Sequence, residues 1–83
     1  MNRDEITGIV RSRIEQILGD ERRIGDLDPL TYHGLDSLRS VDLTLSLENR
    51  FALVFEDDEL DFENFRSVRR IVDLIAAKVG ADE

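Results

Sequence analysis

The stretch GLDSLRSVDLTLSLENRF, residues 34–51, decides the fold because its apolar pattern fits two structures. From Val41 to Leu47, apolar and polar residues alternate, which is the period of a half-buried strand. The apolar side chains also fit two adjacent faces of a helix, one made by Leu38, Val41 and Leu45 and the other by Leu43, Leu47 and Phe51. Periodicity alone leaves both structures open.

Three features of this stretch favour the helix. Asp36 or Ser37 can cap the first exposed amides of a helix, and the apolar residues after Val41 are leucines rather than β-branched residues. No other part of the chain offers a partner strand with hairpin chemistry, and an isolated strand would leave its backbone groups unpaired. We therefore predict a helix over residues 37–51.

Helical spacing is also clear at both ends of the chain. Residues 4–18 carry an apolar stripe with acidic residues in the first turn, and Gly19 is placed to end this helix. The last helix begins after Ser67, which can cap it, and ends before Gly80. A short helix is expected near residues 58–64. The predicted fold is all-α: a small four-helix bundle with three main helices, one short helix and a long first loop.

That first loop carries three glycines and the only proline of the chain. A long ordered connection is usually functional or held in place by its own apolar residues. The residues expected to hold it against the core are Ile24, Leu27, Leu30 and Tyr32. The aromatic residues expected in the core are Phe51, Phe55, Phe62 and Phe65.

Length and composition limit the other possibilities. The chain has 83 residues, and we predict that residues 1–83 form a single domain. The chain has no cysteine, which excludes disulfides, thiolate metal sites and a thiol nucleophile, so any sulfur chemistry requires a cofactor. We expect a cytoplasmic protein because we find neither a signal-peptide pattern nor an apolar run that could span a membrane.

Most of the negative charge lies in the middle of the chain. Residues 36–63 contain nine acidic and two basic residues, a net charge of −7 out of −8 for the whole chain. Such a field repels nucleic acid and attracts a basic protein surface. A scattered acidic excess would merely keep a small domain soluble, but this one clusters around Ser37. The residues expected to contact partner proteins are Arg39, Asp42, Glu48, Asp57, Asp58 and Glu59.

The chain resembles the acyl carrier and peptidyl carrier protein family, whose hallmark is Asp-Ser-Leu at the start of the second helix. Here the motif is Asp36, Ser37 and Leu38, preceded by Gly34 and followed by Leu-Glu-x-x-Phe at residues 47–51. The resemblance implies that 4'-phosphopantetheine from coenzyme A is attached covalently to Ser37, with Asp36 and Leu38 flanking the site.

The resemblance also implies a function for the whole chain. It would be a monomeric carrier rather than an enzyme, holding an acyl or aminoacyl group as a thioester in fatty acid, polyketide or nonribosomal peptide biosynthesis. Its partners would be a phosphopantetheinyl transferase, an acyl- or aminoacyl-loading ligase, and a downstream acyl transferase or synthase.

After Phe51 the sequence departs from the carriers of fatty acid synthesis. Glu56 stands where those carriers usually have proline, and a longer run leads to Phe65 and the last helix. This spacing resembles D-alanyl carriers and stand-alone aminoacyl carriers, which implies a short or aminoacyl cargo delivered as an adenylate by a separate ligase. Packing gives the same expectation, because four phenylalanines between the second and last helices would leave no groove for a long chain.

Other interpretations of the same residues are weaker. Ser37 could be an ordinary helix cap. His33, Asp36 and Ser37 could suggest a hydrolase triad, but residues so close in sequence rarely reach triad geometry, and His33 is expected to be a loop residue packing near the arm. The acidic run at residues 56–63 lacks the glycine and the ligand spacing of a calcium loop, so no metal is expected. The functional alternative is a small acidic helical adaptor that binds a basic partner without a cofactor.

Overall fold

Three α-helices and three short 3-10 helices make up the fold in the computed structural model, which describes residues 1–19 and 24–80. The α-helices are α1 (Arg3–Leu18), α2 (Ser37–Phe51) and α3 (Val68–Val79). The 3-10 helices are Leu30–His33, Asp57–Glu59 and Phe62–Phe65. No β-strand occurs in the described residues. The predicted all-α fold is confirmed.

Local sequence sets the ends of the α-helices. Asn2, Asp36 and Ser67 cap α1, α2 and α3, each with a side-chain oxygen that accepts a hydrogen bond from the backbone N–H three residues later. Gly19 and Gly80 follow α1 and α3 with φ of 61° and 66°, a left-handed conformation that glycine adopts without a Cβ clash. The predicted bounds of these helices agree with the structure to within one residue.

Two 3-10 helices replace the short helix predicted at residues 58–64. They are Asp57–Glu59 and Phe62–Phe65. Between them, the carboxylate of Asp61 accepts a hydrogen bond from the backbone N–H of Glu63 at 3.1 Å. Such a local bond competes with the continuation of a helix, so the segment restarts here instead of forming one continuous helix.

The core forms around α1, which contacts both α2 and α3. The buried side chains of the three helices are Ile6, Val10 and Ile14 from α1, Leu43 and Leu47 from α2, and Val68, Ile71, Val72 and Ile75 from α3. Full burial of a side chain of this kind stabilises the fold by about 1.5–3 kcal/mol before the loss of conformational entropy is counted.

Two backbone hydrogen bonds join the connection before α2 to the start of α3. The N–H of Leu30 donates to the carbonyl of Arg66 at 2.8 Å, and the N–H of Arg69 donates to the carbonyl of Asp26 at 2.9 Å. The approaches to α2 and α3 are therefore held together by the backbone itself.

Only part of the predicted apolar support for this connection is present. Ile24 and Leu30 are buried, as predicted. The predictions for Leu27 and Tyr32 are wrong, because these side chains are 74% and 78% exposed. Leu27 lies in a turn, and Tyr32 lies on the 3-10 helix Leu30–His33, which directs only Leu30 into the core.

The four phenylalanines also divide. Phe55 and Phe65 are buried and meet edge to face, with ring centroids 5.4 Å apart and an interplanar angle of 85°. Phe51 is partly buried and packs against the core. The prediction that Phe62 is a core residue is wrong, because it is 62% exposed and lines an open groove beside α2.

Candidate functional site

Ser37 is the first residue of α2, and it is exposed. The cap of this helix is Asp36, whose Oδ1 accepts the backbone N–H of Arg39 at 2.9 Å. Within residues 1–19 and 24–80, the Ser37 hydroxyl makes no hydrogen bond. Helix capping therefore does not account for this serine, and its oxygen is available for a covalent bond.

The first turn of α2 suits a phosphate on that oxygen. The backbone N–H groups of Ser37 and Leu38 open the helix and so have no intrahelical acceptor. Together with the partial positive charge of a helix N-terminus, such groups favour an exposed phosphate by about 0.3–1 kcal/mol. The residues present therefore fit the phosphodiester of a phosphopantetheine arm.

Arg39 and Gly34 shape the loop before the serine. Nη1 of Arg39 donates to the carbonyl of Gly34 at 3.1 Å and lies 3.9 Å from the carboxylate of Asp36. Gly34 has a φ of 101°, which side-chain-bearing residues rarely adopt. Arg39, predicted as a partner contact, is exposed and also holds this loop in place.

The imidazole of His33 contacts Asp28 in the loop before α2. Its Nε2 lies 3.2 Å from Oδ2 of Asp28, and the same oxygen accepts the backbone N–H of Gly25 at 2.8 Å. The hydrogen bond from Gly25, followed by that from His33, lowers the pKa of the Asp28 carboxyl below its ordinary value. Since the Ser37 hydroxyl has no hydrogen bond to His33, these residues do not form a hydrolase triad.

An apolar groove of about 470 Å³ opens beside Ser37, between α2 and the segment that follows it. Its apolar walls are Leu35, Val41, Leu45, Leu60, Phe62 and Phe65. A volume of about 300–1,000 Å³ is typical of pockets for small molecules. The expectation that four phenylalanines close this space is wrong, so packing gives no reason to exclude a long chain.

A second feature of α2 is an exposed apolar stripe made by Leu38, Val41 and Leu45. Their side chains are 79%, 56% and 58% exposed. The sequence predicted one broad apolar face, but α2 buries only the adjacent face with Leu43 and Leu47. The width of the apolar pattern in α2 could have predicted this stripe. A helix on the surface of a bundle cannot bury two full apolar faces, so one of them stays exposed. Exposed apolar patches mark interaction sites.

Three of the predicted partner residues are aspartates on the surface. Asp42 lies on α2, and Asp57 and Asp58 lie on the first 3-10 helix after it. All three are exposed. Hydrogen bonds within the described residues do not engage their carboxylates, so they are available to a partner.

The two predicted glutamates also stabilise the fold. Glu48 accepts the backbone N–H of Phe55 at 2.8 Å. Glu59 forms an ion pair with Lys78 at 2.6 Å and accepts the backbone N–H of Glu56 at 2.8 Å. The hydrogen bond from Lys78, followed by that from Glu56, lowers the pKa of Glu59. These carboxylates hold the segment after α2 against α2 and α3.

The described residues contain no cluster of histidine and carboxylate side chains that could hold a metal ion. None of the described helices has both the length and the apolar character needed to cross a membrane.

Comparison with known proteins places the chain in a family. The phosphopantetheine attachment site family matches residues 8–75. The acyl carrier protein of Petrotoga mobilis is 33% identical over 85 aligned residues, which cover 100% of this chain and 98% of that protein. The chain belongs to the phosphopantetheine attachment family.

As a member of this family, the chain is a carrier protein that holds acyl groups on a covalent 4'-phosphopantetheine arm, and it is not a catalyst. The predicted carrier function and cofactor are confirmed, and the alternative of an adaptor without a cofactor is wrong. Carriers of this kind work with a phosphopantetheinyl transferase and with biosynthetic enzymes. The closer likeness to D-alanyl and aminoacyl carriers stays a prediction.

Proposed function

We propose that Ser37 carries the 4'-phosphopantetheine arm, with Asp36 and Leu38 flanking the attachment site, in a single cytoplasmic carrier domain. The observation that supports this assignment is the exposed Ser37 hydroxyl, which Asp36 leaves unbonded by capping α2 in its place. When bound, the arm supplies a thiol that holds the acyl group as a thioester.

Ser37 depends on an enzyme for its modification. It has no base within hydrogen-bonding distance in the described residues, and an unassisted serine hydroxyl is a weak nucleophile. The phosphopantetheinyl transferase therefore brings the base that removes the proton, together with the Mg²⁺ that binds the coenzyme A phosphates. The contribution of the carrier is an exposed oxygen at a helix N-terminus.

The proposed docking surface for partner enzymes combines two features of α2 and the segment after it. The exposed apolar stripe offers contact area, and the exposed aspartates attract a basic surface. The residues of this docking surface are Leu38, Val41 and Leu45 together with Asp42, Asp57 and Asp58. The partners are the transferase, an acyl- or aminoacyl-loading ligase and a downstream acyl transferase or synthase.

For the cargo, the groove favours an acyl group with an apolar chain. The groove begins at Ser37 and continues along α2 past Val41 and Leu45, so an apolar chain would leave water on entering it. The second candidate is the short or aminoacyl cargo predicted from the sequence. It rests on the longer run to α3 and on Phe65 just before that helix.

The attachment site is tested by replacing Ser37 with alanine. The wild-type protein, incubated with coenzyme A and a broad-specificity transferase, is expected to gain the mass of one phosphopantetheine, and Ser37→Ala is expected to gain none. Ser46→Ala is the matched control on the same helix and should be modified fully. Modification of Ser37→Ala to the wild-type extent would show that another residue carries the arm.

The cargo is tested on protein isolated from its own cells. Hydroxylamine releases a thioester-bound group as its hydroxamate, and mass spectrometry identifies the product. An apolar acyl hydroxamate supports the groove as the cargo site. An amino-acid hydroxamate would instead establish the aminoacyl cargo and leave the Ser37 assignment untouched.

A further inference from the structure

Two arginines of this acidic chain share a cleft between α1 and α2. Arg13 and Arg50 both line two adjoining cavities of about 420 and 290 Å³, which together we name the arginine cleft. The neutral residues that line it are Gly8, Ile9, Ser12, Gln16, Ser46 and Asn49. One carboxylate-bearing residue, Glu5, also lines the larger cavity.

These two guanidinium groups differ from most other arginine and lysine side chains in the described part of the chain, which form ion pairs. The ion pairs of arginine and lysine within the described residues are Arg3 with Asp73, Arg11 with Asp26, Arg39 with Asp36, Arg66 with Glu63, Arg69 with Asp73, and Lys78 with Glu59. Within residues 1–19 and 24–80, neither Arg13 nor Arg50 has a carboxylate at ion-pair distance. The hydrogen bond of Arg13 goes to Oε1 of Gln16 at 3.4 Å. Two guanidinium groups without an ion-pair partner in the described residues therefore line one cleft of a chain whose net charge is −8.

The shape of the arginine cleft suits a peptide segment better than a small ion. On α1 it extends from Glu5 to Gln16, which is about 16 Å at 1.5 Å per residue. At Gly8 a Cβ atom would meet nothing within 4 Å, so the backbone of α1 lies open to a closely packed neighbour. Ile9, partly buried, offers an apolar contact at the same place.

We infer that the arginine cleft docks an acidic segment of a partner protein, whose carboxylates pair with Arg13 and Arg50. The planar guanidinium binds carboxylates through two parallel hydrogen bonds, which gives such pairs both strength and orientation. Arg50 lies near the opposite end of α2 from Ser37, about 20 Å along the helix axis at 1.5 Å per residue. A partner bound here holds the carrier while Ser37 and the groove stay accessible to other enzymes.

The probe for this site is a pair of synthetic amphipathic helical peptides, identical except that the polar face carries glutamate in one and glutamine in the other. Fluorescence anisotropy gives their affinity for the carrier, and amide chemical shifts locate the binding site. The glutamate peptide should bind about tenfold more tightly than the glutamine peptide and should shift the amides of Gly8, Ser12 and Asn49.

Three variants test whether the arginines and the open backbone are responsible. Arg13→Gln with Arg50→Gln should weaken binding of the glutamate peptide about tenfold or more. Arg66→Gln with Arg69→Gln changes the net charge equally on another surface and should change the affinity less than about twofold. Gly8→Leu fills the cleft without changing charge and should weaken binding as the arginine variant does.

Each opposite result overturns the inference. Equal binding of the two peptides, equal weakening by the control variant, or shifts confined to the amides of Leu38 and Val41 would place the interaction elsewhere. Shifts caused by inorganic phosphate, with none from the glutamate peptide, would make the cleft a site for small anions instead. The double variant Arg13→Gln, Arg50→Gln should still be modified fully at Ser37. Failure of the docking inference can therefore be distinguished from failure of the attachment-site proposal.

Discussion

Two helices of this protein have a serine at their N-terminal end: Ser67 is the cap of α3, and Ser37 is the first residue of α2. The two serines have opposite surroundings. Ser67 is 4% exposed, and its hydroxyl caps α3 by accepting the backbone N–H of Arg70 at 3.3 Å. Ser37 is exposed, and Asp36 caps α2 in its place. The difference shows that a serine at a helix start becomes available for chemistry when its neighbour takes over the capping bond.

The charged residues near the two helix starts also differ. Ser67 is followed by Arg69 and Arg70, whereas Ser37 lies between Asp36 and Arg39, which form an ion pair, and shares its groove with the exposed Asp61. We therefore expect a basic enzyme surface to be attracted more strongly to the start of α2 than to the start of α3. Three experiments test this contrast.

The largest expected effect is on the rate of modification. Reversing Asp42 and Asp58 to lysine should slow transfer of phosphopantetheine to Ser37 by about tenfold at low salt, because steering by charge contributes about 10- to 1,000-fold to association rates. It should also flatten the dependence of the rate on salt, since exposed charges are screened beyond about 8 Å at physiological ionic strength. Initial rates at several salt concentrations measure both.

Glu48 stays unchanged in that experiment because its carboxylate holds the backbone of Phe55. The matched control reverses Asp4 and Glu15 on α1, which are exposed and change the net charge equally. An equal loss of rate in the control would mean that the overall charge of the protein, and not the surface around Ser37, guides the transferase.

The helix starts could be predicted from sequence because caps are local. The side chain at Asp36 or Ser67 and the N–H that it binds are three residues apart, so their pairing depends little on the rest of the fold. The same locality explains why the bounds of α2 were predicted correctly.

The choice between the two apolar faces of α2 could not be made in this way. Leu43 and Leu47 belong to the core that α2 shares with α1 and α3, whereas Leu38 and Leu45 stay exposed. The groove lies between α2 and the segment that follows it, where Phe62 is one of the lining residues. Its walls therefore come from parts of the chain that are not close neighbours in sequence. Sequence periodicity shows which residues share a face but not which face another helix covers.

A smaller effect is expected on the stability of the fold, and it should come from replacing Ser67 rather than Ser37. Ser67→Ala removes the cap of α3 and should lower the free energy of unfolding by about 0.5–2 kcal/mol. Ser37→Ala removes a hydroxyl that makes no hydrogen bond in the described residues, so it should change stability much less. Urea denaturation of both variants measures the difference. Equal losses would mean that Ser37 contributes to capping α2 in solution.

The smallest expected effect is on the pH dependence of stability, through the segments that precede the two serines. Asp28 lies in the loop before Ser37 and Glu59 in the segment before Ser67, and hydrogen bonds lower the pKa of each carboxyl from ordinary values of 3.8 and 4.5. A carboxyl whose pKa is lower in the folded state binds fewer protons there than in the unfolded chain. Its stabilising contribution is therefore complete above the ordinary value and is lost as the pH falls through the lower, folded-state pKa.

Denaturation from pH 7 to about pH 3 should show this loss in the wild-type protein and less of it in Asp28→Asn and Glu59→Gln, which have no proton to bind at those positions. The loss that depends on Glu59 should begin at the higher pH, because its ordinary pKa is the higher of the two. Glu15→Gln, at an exposed position on α1 with no hydrogen bond from its side chain in the described residues, is the control and should follow the wild-type curve. If all four curves were parallel, neither carboxyl would be bonded in solution as it is in the structure, and the two approaches to the helix starts would be held by their backbone hydrogen bonds and apolar contacts alone.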